Sequence, residues 1–310
     1  MPNMNIVLLD TLTLGDTNLS AFHKLGSVEM YETTTPEQTQ ERITNANVIV
    51  TNKVVITKEH MQACESLKLI CIAATGMNNV DLGAAKEFGI EVKNVAGYST
   101  DSVIQHTFSL LFYLIGHARY YDEVVKDGSY SRSPIFTDVS RPFFEVKGKK
   151  WGIIGLGTIG RGVANVARAF GAEVSYYSTS GVERKEEYGR LSLEEMLTSC
   201  DIISIHAPLN DKTHNLLGYE ELLNAKEGAV ILNLGRGGII DEDAIARIID
   251  EKNLSFGLDV LAQEPMKQNH PLLSVKNKER LYITPHIAWT SIEAREKLVA
   301  SIILNIKNTL

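Results

Sequence analysis

An arginine, a glutamate and a histidine stand directly after three apolar, strand-like runs in the second half of the sequence. Arg236 follows AVILNL in the loop GRGG, Glu264 lies in LDVLAQEP, and His286 ends YITPH. Open α/β sheets bind ligands beyond the carboxyl ends of their strands, so we expect these side chains to converge on one crevice. Each residue alone also fits a loop charge or a packed strand end, and only their joint position favours chemistry.

The three side chains have the roles that reduction of a 2-oxoacid needs, although their positions alone do not identify the reaction. Arg236 would hold the substrate carboxylate through its planar fork and polarise the adjacent carbonyl. His286 would protonate the carbonyl oxygen as a hydride arrives at the carbon. Glu264 would hold the imidazole ring and stabilise its charged form.

A glycine motif supplies the second chemical signal. GLGTIG places Gly155, Gly157 and Gly160 between the apolar run WGIIG and the helical run RGVANVARAF, the context of a dinucleotide site. Gly155 permits a tight turn, Gly157 lets the backbone approach a pyrophosphate, and Gly160 allows close helix–strand packing. The free amides of the helix N-terminus, at Thr158 and Ile159, favour a diphosphate. The alternative is a glycine-rich turn without a ligand.

The choice between NAD(H) and NADP(H) depends on the next strand. An acid about 20 residues onward normally binds the ribose 2′-hydroxyl of NAD, but Ser178 occupies that place. Without the carboxylate, Ser178, Thr179 and Ser180 could donate hydrogen bonds to a 2′-phosphate, and Arg184 or Lys185 could reach it. We therefore expect NAD(H) or NADP(H), with a lean towards NADP(H), unless Arg184 and Lys185 are only solvated loop charges.

Composition narrows the class of protein. At 310 residues the chain predicts two domains, and its net charge of -7 argues against nucleic acid and anionic membranes as partners. Cys64, Cys71 and Cys200 lack disulfide or zinc spacing, which predicts buried, reduced thiols in a cytoplasmic protein. We expect no metal site, because neither HExxH nor a His/Cys/Asp cluster occurs. The N-terminus lacks a basic region, and the apolar stretch FSLLFYLIG is too short to span a bilayer, so we expect no signal peptide or membrane segment.

Apolar runs alternate with amphipathic segments along the whole chain, which predicts an α/β fold with parallel sheets. We expect strands at 5–10, 28–32, 47–52, 67–74, 90–95, 149–155, 172–178, 201–207, 228–234, 254–260 and 281–286. We expect helices near 17–25, 36–45, 58–65, 81–88, 158–170, 192–199, 219–225, 241–251 and 291–310. The first half is predicted to be flavodoxin-like, and the terminal helix is predicted to cross back onto it. Between the halves we expect a long helix at 100–126, capped by Ser99 or Thr100, and an irregular arm or linker at 127–150 that could pack on a partner subunit.

Several segments together resemble the D-isomer-specific 2-hydroxyacid dehydrogenases. They are GLGTIGRGVANVARAFGAEV, HAPLNDKTHNLL, NLGRGGIIDEDAI, GLDVLAQEP, NHPLL and ITPHIAWTSIEAR, in order along the chain. The resemblance gives Arg236, Glu264 and His286 the catalytic roles above. It implies two Rossmann-like domains with a deep interdomain cleft, a substrate-binding domain at 1–98 plus 288–310, and a dinucleotide-binding domain at 99–287 that builds a homodimer.

The resemblance also implies weaker assignments. Backbone amides near Gly76 and Met77, in ATGMNNVDL, would meet the carboxylate of a small 2-oxoacid or 2-hydroxyacid. Five residues would contact the cofactor: His206 near the adenosine ribose, Pro208 and Thr213 at its border, Leu234 beside the nicotinamide, and Asp259 at the carboxamide. Asp259 could instead be a turn residue, and His206 could be a packing residue.

Within the family, PHIAWTSIEAR with Trp289 and the segment STDSVIQHTFSLL look most like hydroxypyruvate reductases, also called glycerate dehydrogenases. Trp289 alternatively fills a packing role. Two other functions remain open on the same scaffold: an NAD(H)-sensing binding protein similar to transcriptional corepressors, and an enzyme of the formate or phosphite dehydrogenase type.

Overall fold

A computed structural model describes residues 4–181 and 186–310, so the 2′-phosphate contacts predicted for Arg184 and Lys185 lie outside the described residues. The described chain forms two compact units, one of residues up to Ser99 with Thr290–Leu310 and one of Thr100–Trp289. Its strands are β1 Asn5–Leu8, β2 Ser27–Met30, β3 Val48–Thr51, β4 Leu69–Ile72, β5 Glu91–Lys93, β6 Lys150–Ile154, β7 Glu173–Tyr177, β8 Gly189–Arg190, β9 Ile202–Ile205, β10 Val230–Asn233, β11 Ser255–Leu258 and β12 Leu281–Ile283. Its α-helices are α1 Pro36–Ile43, α2 Lys58–Gln62, α3 Leu82–Glu87, α4 Thr100–Ile115, α5 Ala118–Lys126, α6 Thr158–Ala169, α7 Leu193–Ser199, α8 Tyr219–Asn224, α9 Glu242–Glu251 and α10 Ile292–Thr309.

The first unit is built on a parallel sheet with strand order β2-β1-β3-β4-β5. The inner strands β3 and β4 are buried along their whole length, whereas the edge strand β2 is mostly exposed. This contrast follows from helices covering both faces of the inner strands. Helix α10 joins this unit and packs against β4, burying Leu298, Ile302 and Ile306.

The second unit holds a larger parallel sheet with strand order β12-β11-β10-β9-β6-β7-β8. Its central strands β9 and β10 are buried throughout. Helix α6 buries Gly160, Val163, Ala164 and Ala167, the three- and four-residue spacing of one helical face. Both sheets therefore confirm the predicted α/β class.

Two predicted helices were wrong in extent. The helix expected at 100–126 is broken into α4 and α5, because His117 adopts a left-handed conformation with φ 47° that cannot continue a helix. The helix expected at 17–25 is only a 3-10 turn at Ser20–Lys24, which buries Phe22 alone and so lacks an apolar stripe to extend it. The described arm at 127–150 is irregular apart from a 3-10 turn at Tyr130–Arg132 and the first residue of β6.

In the described residues, no helix combines the length and the apolar character needed to cross a membrane.

Candidate active site

Glu264 and His286 are in direct contact beyond the carboxyl ends of β11 and β12. The His286 Nδ1 and the Glu264 Oε2 lie 2.7 Å apart, and the Glu264 Oε1 accepts the backbone N–H of Leu261 at 2.9 Å. An ionised carboxylate can only accept, so Nδ1 carries the proton and Nε2 is left as the nitrogen that can exchange one. The pair holds an imidazole in one orientation, as an acid–base group requires.

The backbone of His286 is strained and firmly held. His286 has φ 56°, in the left-handed region that residues other than glycine rarely adopt. Its N–H donates to the carbonyl oxygen of Asp259 at 2.9 Å. The two carboxylate oxygens of Asp259 accept the N–H groups of Ile287 at 2.8 Å and Ala288 at 2.9 Å. Buried Asp259 therefore fixes the backbone at and after the histidine.

A further hydroxyl and imidazole support Asp259. The Thr284 hydroxyl donates to the Asp259 Oδ1 at 2.7 Å, and the His106 Nε2 lies 3.0 Å from the Thr284 oxygen. Because that hydroxyl proton is already donated to a carboxylate, the His106 Nε2–H donates to it. Sequence reasoning missed both residues, since His106 lies about 180 positions away on α4. The threonine before Pro285 in YITPH was the available signal.

Arg236 also lies beyond the carboxyl ends of the strands, because it follows β10, which neighbours β11. Arg236 is exposed, and its Nη1 donates to the carbonyl oxygen of Gly235 at 2.8 Å. The buried Asn233 braces this loop: its amide donates to the Arg236 carbonyl at 2.8 Å and accepts the Gly235 N–H at 3.1 Å. Arg236 thus stands on a fixed loop with an accessible guanidinium, and Asn233 is a supporting residue that sequence reasoning missed.

The three motif glycines meet different surroundings. A Cβ on Gly155, where φ is 91°, would lie 2.8 Å from the Ala207 nitrogen, and one on Gly160 would lie 2.3 Å from the Gly155 oxygen. Both glycines are therefore required by the fold itself. A Cβ on Gly157 would meet no atom of the described chain within 4 Å. That open space, at the N-cap of α6, is where a phosphate could approach the backbone.

A cavity of about 570 Å³ opens beside this turn. Among the residues predicted to bind the cofactor, seven line it: Gly155, Gly157, Ser178, Thr179, Ser180, His206 and Pro208. Thr158 and Ile159 begin α6 at the adjacent helix N-terminus. The wall also includes Glu186, an acid that sequence reasoning missed because it lies eight positions beyond Ser178.

His206 lines this cavity, and its ring carries unpaired polar atoms. Both of its ring nitrogens are buried, and neither has a hydrogen-bond partner within residues 4–181 and 186–310. Burial lowers the pKa of His206 from 6.5 to about 3, so the ring is neutral near neutral pH. Buried polar atoms are normally satisfied, which points to a ligand that supplies the missing partner.

The remaining predicted cofactor residues lie deeper. Thr213 is fully buried, and its hydroxyl donates to the Pro208 carbonyl at 2.7 Å and accepts the Asn210 N–H at 2.8 Å, so it shapes the loop under the cavity wall. Leu234 is buried directly after β10. In the other unit, Gly76 and Met77 lie in the loop between β4 and α3, and their contact with a substrate stays a prediction.

Cys64, Cys71 and Cys200 are free and buried, and burial raises the pKa of the Cys71 thiol to about 12. Within the described chain, no group of three or more His, Cys, Asp or Glu side chains is arranged to hold a metal ion.

These features together define a nicotinamide-dinucleotide oxidoreductase. The parallel sheet carries a glycine turn with open space at a helix N-terminus, an unpaired buried imidazole and an acid–histidine pair. The residues fit such a cofactor, since Gly157 leaves room for the diphosphate and His206 lacks a partner that a nucleotide can supply. The sequence matches the family model "D-isomer specific 2-hydroxyacid dehydrogenase, NAD binding domain" over residues 108–288. The chain belongs to this family and is an NAD(P)-linked 2-hydroxyacid reductase, acting on the CH–OH group of the hydroxyacid.

Individual relatives agree with the family. The chain is 34% identical over 315 residues to the hydroxypyruvate reductase of Blautia hydrogenotrophica, covering 99% of this chain and 97% of the relative. It is 34% identical over 304 residues to the glycerate dehydrogenase of Methylorubrum extorquens, covering 97% and 95%. Among solved structures, the acyclic imino acid reductase Bsp5 in complex with NADPH and D-Arg superposes with a TM-score of 0.85 at 28% identity, covering 98% of this chain and 96% of that one.

Proposed function

We propose that the chain reduces hydroxypyruvate to D-glycerate, with glyoxylate as a second substrate. The observation that carries this proposal is the 2.7 Å contact between His286 and Glu264, which supplies an oriented proton donor at a sheet edge shared with Arg236. The names of the two curated relatives support the choice of substrate, because both refer to the hydroxypyruvate–glycerate pair.

Each member of the trio has a separate role in this proposal. Arg236 binds the substrate carboxylate with its planar fork and orients the neighbouring carbonyl. A bound reduced nicotinamide would supply a hydride for the carbonyl carbon. His286 delivers the proton from Nε2 to the carbonyl oxygen, which completes the alcohol. Glu264 keeps Nδ1 protonated and compensates the positive charge that the ring carries before it gives up its proton.

The second unit is the cofactor domain in this proposal, and the first unit is the substrate domain. Gly155, Gly157 and the N-terminus of α6 take the diphosphate, whereas the cavity lined by Ser178 and His206 takes the adenosine end. We propose that both NADH and NADPH are accepted, with a lean towards NADPH, because Ser178 replaces the acid that would repel a 2′-phosphate. Leu234 and Asp259 border the nicotinamide end.

A substrate panel tests the proposal directly. Hydroxypyruvate, glyoxylate, pyruvate and bulkier 2-oxoacids are each mixed with the protein and NADH or NADPH, and loss of absorbance of the reduced cofactor is followed. We expect the highest kcat/KM with hydroxypyruvate. Turnover only of formate or phosphite with the oxidised cofactor would replace the proposal, and tight nucleotide binding without any turnover would favour a nucleotide-sensing protein.

We further propose that the protein is a cytoplasmic homodimer assembled through the cofactor unit. Its arm exposes Phe136, Val139 and Phe143 at 88%, 76% and 67%, an apolar surface that a second copy would cover. The three free cysteines suit a reducing compartment. Light scattering after size exclusion tests the dimer: Phe136→Asp should yield monomers, whereas Ile292→Asp, at an exposed residue of the other unit, should not. A monomeric wild-type protein would refute the dimer.

A further inference from the structure

One residue of the nucleotide cavity wall, Glu186, belongs to an ion pair with Arg161. Glu186 lines this cavity together with Ser178, Thr179 and Ser180. Arg161, in the first turn of α6, holds the Glu186 carboxylate through both terminal guanidinium nitrogens, and the Nη2–Oε1 bond is 2.6 Å long. Such two-pronged contacts are geometrically specific and fix both side chains.

The two partners differ in their exposure. The Glu186 side chain is only 9% exposed, whereas the Arg161 side chain is 41% exposed. The carboxylate is therefore enclosed by protein, and the guanidinium is accessible. Arg161 has five N–H donors, of which the contact with Glu186 uses two, so it can bind a further anion without leaving its partner.

This arrangement changes the electrostatics of a cavity whose expected acid is replaced by Ser178. A bare carboxylate at Glu186 would repel a 2′-phosphate, but the bonded guanidinium neutralises it. Arginine is also the side chain best matched to phosphate oxygens. The guanidinium that compensates the charge of this cavity-wall carboxylate is itself partly exposed.

We propose that the Arg161–Glu186 ion pair determines cofactor selectivity: Glu186 positions the guanidinium, and Arg161 binds the 2′-phosphate of NADPH. The inference rests on the proposed function, because it requires the cavity to take the adenosine end of a nicotinamide dinucleotide. The residues that distinguish NADPH from NADH are then Arg161 on α6 and Glu186, which follows the serines in sequence. Ser178 only leaves room for the 2′-phosphate.

Direct binding measurements without substrate test the pair. The dissociation constants of NADPH and NADH are obtained by fluorescence titration for the wild type, Arg161→Gln and Glu186→Gln. In Arg161→Gln, the cation is removed while the Glu186 carboxylate keeps its charge, and NADPH should bind about tenfold or more weakly while NADH changes much less. In Glu186→Gln, the guanidinium loses the two-pronged contact that positions it, so NADPH should bind several-fold more weakly while NADH, which has no 2′-phosphate, changes less. If the pair only stabilises the loop, each substitution should weaken the binding of NADPH and NADH to the same extent.

The neighbouring ion pair provides a matched control. Arg168 and Glu187 come from the same helix and the same loop, at 2.7 Å, but both are more than half exposed, and Glu187, unlike Glu186, does not line the cavity. Arg168→Gln and Glu187→Gln should leave the ratio of the two dissociation constants unchanged. The inference is overturned if the wild type binds both nucleotides and the ratio of the two dissociation constants in the Arg161 and Glu186 variants equals that of the controls. The proposed function would then still stand. A wild type that binds neither nucleotide overturns both.

Discussion

The backbone N–H of His286 donates to the carbonyl oxygen of Asp259, and the carboxylate of Asp259 accepts the N–H groups of the two residues that follow His286. A histidine with φ 56° is costly, on the order of 1–3 kcal/mol, and persists only where its surroundings hold it. Asp259 provides that restraint from one buried position. The orientation of the imidazole therefore depends on a residue that need not touch the substrate.

Thr284 tests this dependence, because its hydroxyl bonds both Asp259 and His106. Thr284→Val should lower kcat several-fold and reduce the free energy of unfolding by roughly 1–3 kcal/mol, since a buried bond to a charged group is lost. Thr284→Ser keeps the hydroxyl and should restore most of kcat. Steady-state kinetics, with NADH dissociation constants as a control for the cofactor site, measure the effect. A valine variant with unchanged kcat would show that the network does not position His286.

The trio should separate into binding and chemistry. Arg236→Lys replaces a planar fork by a point charge and should chiefly raise KM for the 2-oxoacid, by about tenfold or more. His286→Gln removes the proton donor and should lower kcat by roughly 10²–10⁴-fold while NADH still binds. Both values come from initial rates over a range of substrate concentrations. Wild-type kinetics in the two variants would remove the assigned roles.

The sequence predicted the class of the fold well, because parallel sheets need long apolar strands and the chain supplies them at regular intervals. The strands VIVT, IISI and VILN are buried from end to end, as continuous apolar runs predict. The break between α4 and α5 escaped prediction, since the surrounding helical periodicity continues past Gly116. The two-residue edge strand β8 was missed because it has no apolar pattern of its own.

The candidate site was predictable only where chemistry follows a strand directly. Glu264 and His286 were found from their positions after strands, and their contact follows from adjacent parallel strands. His106, Thr284 and the Arg161–Glu186 pair escaped, because each acts through a tertiary hydrogen bond that spacing along the chain does not encode. Asn233 escaped as well, although its bonds to Gly235 and Arg236 are local.

Gly157 and Gly160 should respond differently to alanine. A Cβ at Gly157 meets nothing in the described chain, so Gly157→Ala should keep the melting temperature of the ligand-free protein and weaken dinucleotide binding by about tenfold or more. A Cβ at Gly160 would lie 2.3 Å from a backbone oxygen, so Gly160→Ala should lose about 1–3 kcal/mol of stability before any ligand is added. Thermal melts and fluorescence titrations separate the two effects. A destabilised Gly157→Ala protein that binds NADH normally would contradict the assignment of this space to a ligand.

His206 should make the ligand-free protein sensitive to mild acid. Its pKa is about 3 in the folded chain against 6.5 for an unperturbed histidine, so below pH 6.5 the unfolded chain binds a proton that the folded chain does not. The free energy of unfolding is therefore highest above pH 6.5 and decreases as the pH falls towards 3, by up to about 1.4 kcal/mol per pH unit. Between pH 7 and pH 5 the loss is about 2 kcal/mol, or several degrees in melting temperature.

His206→Gln cannot take up that proton and should lose correspondingly less over the same range. His23→Gln, at an exposed histidine, should follow the wild type. If His206→Gln and the wild type lose the same melting temperature from pH 7 to pH 5, the ring is protonated in the folded protein. The assignment of a neutral, unpaired imidazole at the nucleotide cavity would then be wrong.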